Sequence, residues 1–260
     1  RINKDLFIGA RGTFTYAKNK IIEQDEAPGV IGTKRSSTGL PVGQLFGLVA
    51  ERLFTDEDFE NVETGKLKPG IPQQNFSSDL TLRPGDIKYI DMDGDGEITT
   101  KDVAPIGGTY DPQIVYGFGL NASYKNFDFN VFFQGNAKTH RFIGGQNFLP
   151  GSGLGNILSN YQDRWTVENP SQDVFYPRLY NGVNENNRQQ STWWLRDMSM
   201  MRMKDIEIGY NLPKSILNHV GLSAIRFYIK GTNLLTFSKF DLWDPEVNSS
   251  NGAQYPIMKS

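Results

Sequence analysis

Residues 6–19 alternate in character: Ile8, Ala10, Gly12, Phe14 and Tyr16 fall on one side, while Gly9, Arg11, Thr13, Thr15 and Ala17 fall on the other. A period of two over this length predicts a strand. The pattern returns more clearly further on. Tyr116, Phe118, Leu120, Ala122 and Tyr124 alternate with Gly117, Gly119, Asn121, Ser123 and Lys125. After a very short turn at Lys125-Asn126, Phe127, Phe129, Val131 and Phe133 alternate with Asp128, Asn130, Phe132 and Gln134. This predicts a hairpin with one wall rich in rings and one wall small or polar. A long strand is predicted from Trp193 to Tyr210, with Ile206, Ile208 and Tyr210 opposite Asp205, Glu207 and Gly209. Asn211-Leu-Pro213 ends it and opens a short helix, Lys214 to His219, stopped at Gly221. Ile225, Phe227 and Ile229, opposite Arg226, Tyr228 and Lys230, begin a returning strand that Gly231-Thr-Asn-Leu-Leu235 continues. Such ribbons suit a soluble sandwich, with the ring wall as core. They equally suit a membrane barrel, with the ring wall on lipid and the polar wall on the lumen. Periodicity leaves both open.

Between the ribbons lie long connections. Residues 20–114 are turn-rich, with a buried strand predicted at 44–50, a short helix starting at Thr55 and a strand at 86–90. Residues 136–192 are rich in Gly, Asn, Gln and Ser, including the glycine run Pro150-Gly-Ser-Gly153 and Gly155. Connections of this length are more often functional than incidental.

Composition then removes several chemistries. The chain has 260 residues, no cysteine, two histidines and a formal net charge of -2. The charge offers no footprint for nucleic acid. Thiol catalysis and disulfides are excluded, and His140 and His219 are too far apart in sequence to suggest a zinc site or a Ser/His/Asp set. His219 reads as a helix-end residue. No apolar run approaches the length of a spanning helix, which leaves a β-barrel open. Nothing points to an enzyme: carboxylates abound, but no pair stands out as an acid and base couple.

The most specific local signal is Asp91-Met-Asp-Gly-Asp-Gly-Glu-Ile-Thr-Thr-Lys-Asp102. Asp91, Asp93, Asp95 and Asp102 stand at positions 1, 3, 5 and 12 of a calcium-type loop, with Gly96 at the sharp turn and Glu97 offering a carbonyl at position 7. Pro105 and the glycines after it deny this loop the second helix of an EF-hand, so a structural Ca2+ in a β setting is expected.

Taken together, Pro84-Gly-Asp86, the Asp91 to Gly96 run, Ile106-Gly107, Tyr116-Gly-Phe118, Trp194-Leu-Arg-Asp197, Met201-Arg-Met-Lys204, Gly209-Tyr-Asn-Leu-Pro213, Gly231-Thr-Asn-Leu-Leu235, Asp244-Pro-Glu246 and Tyr255-Pro256 resemble the C-terminal third of SusC/RagA-type TonB-dependent outer-membrane transporters. The resemblance implies an all-β fold: the C-terminal part of a large antiparallel transmembrane barrel of about 22 strands, with long extracellular loops and a few short helices. It implies TonB-dependent uptake of oligosaccharides or peptides across the outer membrane of Bacteroidota, under a SusD-like surface lipoprotein that serves as a lid. The plug, the TonB-contacting segment, the early strands and the closing strand are not among these residues, so a fragment spanning 1–260 of such a barrel is expected. Its 20–114 and 136–192 stretches would be outer loops. In that setting Trp165, Tyr176, Trp193 and Trp194 are candidates to stack on cargo sugars. Packing between loops, or an aromatic girdle at the membrane surface, would use the same rings. The alternative is a soluble, secreted β-rich module that binds glycans and is braced by a structural calcium loop.

Overall fold

The computed structural model describes residues 5–77, 80–145, 148–149 and 159–250. The Pro150–Gly155 glycine run and the Tyr255-Pro256 pair lie outside the described residues.

The alternating segments become five long strands: β1 Leu6–Tyr16, β2 Ile114–Tyr124, β3 Phe127–Ala137, β4 Met200–Asn211 and β5 Arg226–Ser238. They form one antiparallel meander in which each strand lies beside its neighbour in sequence. The β2–β3 turn is two residues long, with Lys125 at φ 53. Helix α1, Lys214–Val220, sits between β4 and β5 and ends on Gly221 in the left-handed region, as its sequence predicts. Each strand is 11 to 13 residues long, enough to cross a bilayer when tilted.

Residues opposite each other in an antiparallel ladder share a face. The register therefore sorts the side chains across all five strands. Phe14 pairs with Tyr116, Phe118 with Phe133, Phe129 with Ile208, and Tyr210 with Phe227, all on one wall. Arg11 pairs with Gly119, Asn121 with Asn130, Asn130 with Glu207, and Glu207 with Lys230 on the other. The ring wall is not folded inward. Phe14 is 70% exposed, Phe227 62% and Ile229 81%. A soluble sandwich would have placed these side chains in its core, so the barrel reading of the ribbons is the one the fold bears out.

Two predicted strands are each split in two. Instead of one strand from Trp193, Leu195–Asp197 pairs with His140–Phe142, and β4 starts at Met200. The break is local chemistry: Ser199 N–H donates to the Asp197 carboxylate at 2.9 Å, and Met198 N–H turns aside to Thr139 O at 3.0 Å. Likewise 44–50 is not continuous. Gln44–Gly47 pairs with Ala104–Thr109, Ala50–Leu53 pairs with Ile87–Tyr89, and Leu48 N–H leaves for Gln190 O at 2.9 Å. Gly47 permits that approach, because a Cβ there would stand 2.6 Å from Gln190 O. The helix predicted at Thr55 is a single 3-10 turn, Asp56–Asp58.

The connections 17–113 and 138–199 and the segment after β5 all leave from the same end of the sheet. There they fold as a packed layer rather than as separate loops. Its core holds Leu53, Ile87, Tyr89, Tyr176, Trp194 and Met198, and a second small cluster gathers Phe54, Phe59, Leu67 and Leu82.

Candidate functional site

The candidate site is the polar wall of the sheet and the loop layer at its edge. On that wall, glycine makes room for neighbours to lie flat. A Cβ on Gly117 would meet the Phe132 ring at 2.9 Å, and one on Gly119 would meet it at 3.0 Å. The Phe132 ring therefore rests against the sheet, with the Arg11 guanidinium 4.9 Å from its centroid. Toward the short-turn end, Arg226 bridges three strands. It donates to Asp128 from one side and to Glu207 at 2.6 Å from the other, while Asn211 also donates to Asp128 at 3.2 Å. Lys230 and Asp205 make a further pair at 3.2 Å. The wall is thus polar but charge-balanced.

Toward the loop end, the segment after β5 returns across this polar wall as a strap. Both ladders of β4 shift register at Lys204, a bulge that aims this side chain out of the regular alternation. Lys204 Nζ donates to Glu246 Oε1 at 2.6 Å. Arg202, fully buried, donates to Asp244 and lies 3.6 Å from Glu246. Burial works against charge on Asp244, but Arg202, the Glu246 N–H and Lys204 outweigh it and hold the carboxyl below its ordinary pKa. Further along, Arg141 donates to Val247 O at 2.8 Å, and Gly144 N–H donates to Ser250 O at 2.7 Å.

The ring residues proposed for stacking do not present free faces. Tyr176 is fully buried and stacks on Tyr161 with centroids 4.4 Å apart. Trp194 is 2% exposed and donates its indole N–H to Asn187 O at 2.7 Å. Trp165 is buried against Gly85, where a Cβ would stand 2.3 Å from the indole. Trp193 is partly buried and donates to Phe175 O at 3.1 Å. The expectation of cargo stacking is therefore corrected for Trp165, Tyr176 and Trp194. Large rings in long loops gain more from a shared dry core than from exposure, and three connections close together supply that core.

The acidic loop converges in part. Carboxylate oxygens of Asp91, Asp93 and Asp95 lie within 4.8 Å of one another. Desolvation works against charge on Asp91, but the Gly96 N–H at 2.8 Å and the Gly94 N–H at 2.6 Å, both of which it accepts, together outweigh it and lower its pKa. Lys101 donates to Asp95 at 2.8 Å and lowers that carboxyl's pKa. Asp102 is fully buried and spends its two oxygens on backbone N–H groups, of Met92 at 2.6 Å and Thr99 at 2.8 Å. It braces the loop and caps the 3-10 turn Thr100–Asp102. Glu97 is exposed, and its carboxylate is outside the converging group. The three clustered carboxylates are hard oxygen donors of the kind Ca2+ takes.

One structural hub escaped the sequence reading of individual residues. Asp86, fully buried, receives Arg178 at 2.9 Å, Asn184 at 2.9 Å, Asn187 at 2.9 Å and the Arg83 N–H at 2.9 Å. It fastens the Pro84-Gly-Asp86 motif to residues 178–187. The unaccompanied Arg between two methionines at 201–203, read against Asp244-Pro-Glu246, was the available signal for the strap.

No family model matches the chain. It is 31% identical over 265 residues to TonB-dependent receptor P3 of Formosa agariphila, covering 96% of the chain and 24% of the receptor. It is 34% identical over 163 residues to TonB-dependent receptor P26 of the same organism, covering 62% of the chain and 16% of that receptor. The chain thus spans about a quarter or less of the length of these relatives. Among solved structures, the RagAB peptide importer in an "open-open" state superposes with a TM-score of 0.68 at 21% identity, over 99% of this chain and 26% of the importer chain. Its "closed-closed" state gives 0.67 at 22% identity, over 100% and 27%.

Proposed function

We propose, from the premise that this chain is a SusC/RagA-like TonB-dependent receptor segment, that it forms part of the wall of an outer-membrane importer. The observation that carries this reading is the two-sided sheet: five strands of spanning length, rings exposed along one wall and balanced polar groups along the other. Lipid would cover the rings. The polar wall would line a conduit, and the packed loop layer would face outward, since long outer loops over short inner turns are the rule for such barrels.

No chemical step is assigned; the work is recognition and passage, with energy delivered through TonB by the rest of the receptor. A SusD-like lipoprotein seated on the loop layer, and a cargo of oligosaccharide or peptide, complete the proposal. In the acidic loop, Asp91, Asp93 and Asp95 would hold a structural Ca2+, which would relieve their mutual repulsion and stiffen the loop.

The test is nutritional. Inactivating the gene should abolish growth on either a peptide mixture or a glycan as the limiting nutrient, and loss of TonB should give the same defect. Unchanged growth on every nutrient for which the TonB-deficient strain fails would remove the import reading.

A further inference from the structure

We infer that a cleft in the loop layer, separate from the polar wall, is an oxyanion-binding site anchored on Arg188. The site stands on the cleft alone and goes beyond the import reading. Its volume is about 750 Å³, well inside the range for small-ligand sites. None of the five long strands contributes to its lining.

Short segments wall the cleft, and backbone hydrogen bonds fix them to one another. Leu48 N–H donates to Gln190 O at 2.9 Å and Thr192 N–H to Leu48 O at 3.0 Å, which seats residues 188–190 against 46–48. Gln73–Gln74 pairs with Glu97–Ile98, which sets Asn75 and Phe76 beside Thr99 and Thr100. Walls already joined in this way lose little freedom when a ligand arrives.

Arg188 is the charged group of the lining, and among the described residues no aspartate or glutamate shares it. Its side chain is 27% exposed. Nε is buried and takes no part. The rest of the guanidinium is unspent: it makes no hydrogen bond among the described residues, and its contact with Glu185 is 3.8 Å long, to a side chain 46% exposed. So long and solvated a pair is worth little. Arg178 and Arg202, by contrast, each hold a carboxylate at hydrogen-bond distance.

A guanidinium fork with free donors matches a carboxylate or a sulfate, each of which accepts two parallel hydrogen bonds. The other lining residues define what carries that group. Phe46 and Phe76 are half-buried and offer apolar faces. Asn75, Thr100 and Gln190 are exposed, and their side chains make no hydrogen bond among the described residues. Rings that cover C–H surface, amides and a hydroxyl that read hydroxyls, and one cation together suit a sugar acid or a sugar sulfate. The polar wall balances its charges and favours neither sign; the cleft supplies that preference.

The experiment is isothermal titration of the full receptor in detergent micelles at low ionic strength. The probes are digalacturonate with its neutral counterpart galactobiose, and galactose 6-sulfate with its neutral counterpart galactose. At least one charged probe should bind about tenfold or more tighter than its neutral counterpart, the scale of one charge-assisted hydrogen bond. The probe that does so identifies the oxyanion. Arg188→Gln should erase that difference and leave the thermal midpoint of the receptor unchanged. Glu185→Gln removes the competing acid, which does not itself line the cleft, and should tighten binding of the same probe. Equal affinity for charged and neutral probes in wild type, or an unchanged preference in Arg188→Gln, would overturn the site. Should Arg188→Gln also melt lower, Glu185→Gln decides: tighter binding upholds the anchor, and unchanged or weaker binding overturns it.

Discussion

Arg202, closed off from solvent on β4, donates to the carboxylate of Asp244, 42 residues further along the chain. Its Nε and Nη1 make no other hydrogen bond among the described residues, so the guanidinium depends on the strap. Asp244→Asn removes the compensating charge from a dry site and should cost about 3–5 kcal/mol. Lys204→Met breaks a partly exposed pair, 23% and 19% exposed, and should cost about 1 kcal/mol or less. Urea midpoints of the intact receptor in micelles would rank the two. Equal losses would show that the strap is held by something other than Arg202.

A second prediction concerns acid. Asp58 receives both guanidinium arms of Arg52 at 2.6 Å and the Thr55 N–H at 2.9 Å, with Lys88 nearby. Burial opposes its ionisation, but these partners prevail and hold its pKa at about 2, from an ordinary 3.8. A pKa depressed by folding adds stability that is complete above the unfolded value and fades as pH falls through the folded one. The contribution, about 2 kcal/mol, should vanish between about pH 4 and pH 2. In Asp58→Asn that portion of the pH dependence should be missing from thermal melts of the receptor.

Much of this architecture was legible beforehand, and the reason is period. Along β2 and β3, alternation is regular apart from Val115 and Phe132 on the polar side, so the two walls follow from counting. The turn at Lys125-Asn126 and the stop at Gly221 follow from backbone sterics that act locally. Met198 and Gly47, by contrast, interrupt strands through contacts with Thr139 and Gln190, residues that sequence does not place nearby. The same limit applies to Trp165, Tyr176 and Trp194. A ring in a long loop reads as available until its neighbours are known, and here those neighbours come from three separate connections. Asp102 shows a subtler case. Its position in the acidic loop suggested a ligand, yet the backbone N–H groups of Met92 and Thr99 claim both its oxygens.

The glycines of the polar wall make a third prediction. A methyl on Gly117 would meet Phe132 Cζ at 2.9 Å and Thr13 Oγ1 at 3.2 Å. Gly117→Ala should therefore destabilise by about 1–3 kcal/mol through overpacking. Adding Phe132→Leu, which removes the ring, should recover most of that loss. A double variant no better than Gly117→Ala in a urea titration would mean the ring is not the obstacle.

The acidic loop offers a fourth. If Asp91, Asp93 and Asp95 take Ca2+, isothermal titration of the receptor should show calorimetric binding that Asp93→Asn abolishes. Asp102→Asn should weaken it less directly, because this carboxylate braces the backbone rather than joining the cluster. No heat with Ca2+ in wild type would leave the loop as a self-sufficient hydrogen-bonded turn.

The last prediction separates the two walls by one residue. Phe129 lies opposite Ala122 and Ile208 on the ring side, and Asn130 lies opposite Asn121 and Glu207 on the polar side. They are adjacent, the third and fourth of the eleven residues of β3, at nearly the same depth along the strand. An arginine on a lipid-facing wall costs up to about 2–4 kcal/mol at the bilayer midplane, less toward the interfaces, and little where water reaches it. Phe129→Arg should therefore lower the yield of receptor assembled in the outer membrane. Asn130→Arg gains Glu207 as a neighbour across the ladder and should assemble at near wild-type levels. The readout is the yield of heat-modifiable receptor in outer-membrane fractions, with Phe129→Leu as the control for lost ring packing. Tolerance of arginine at both positions would mean that neither wall meets lipid, because only a hydrocarbon environment distinguishes sites this close in sequence and so nearly equal in depth.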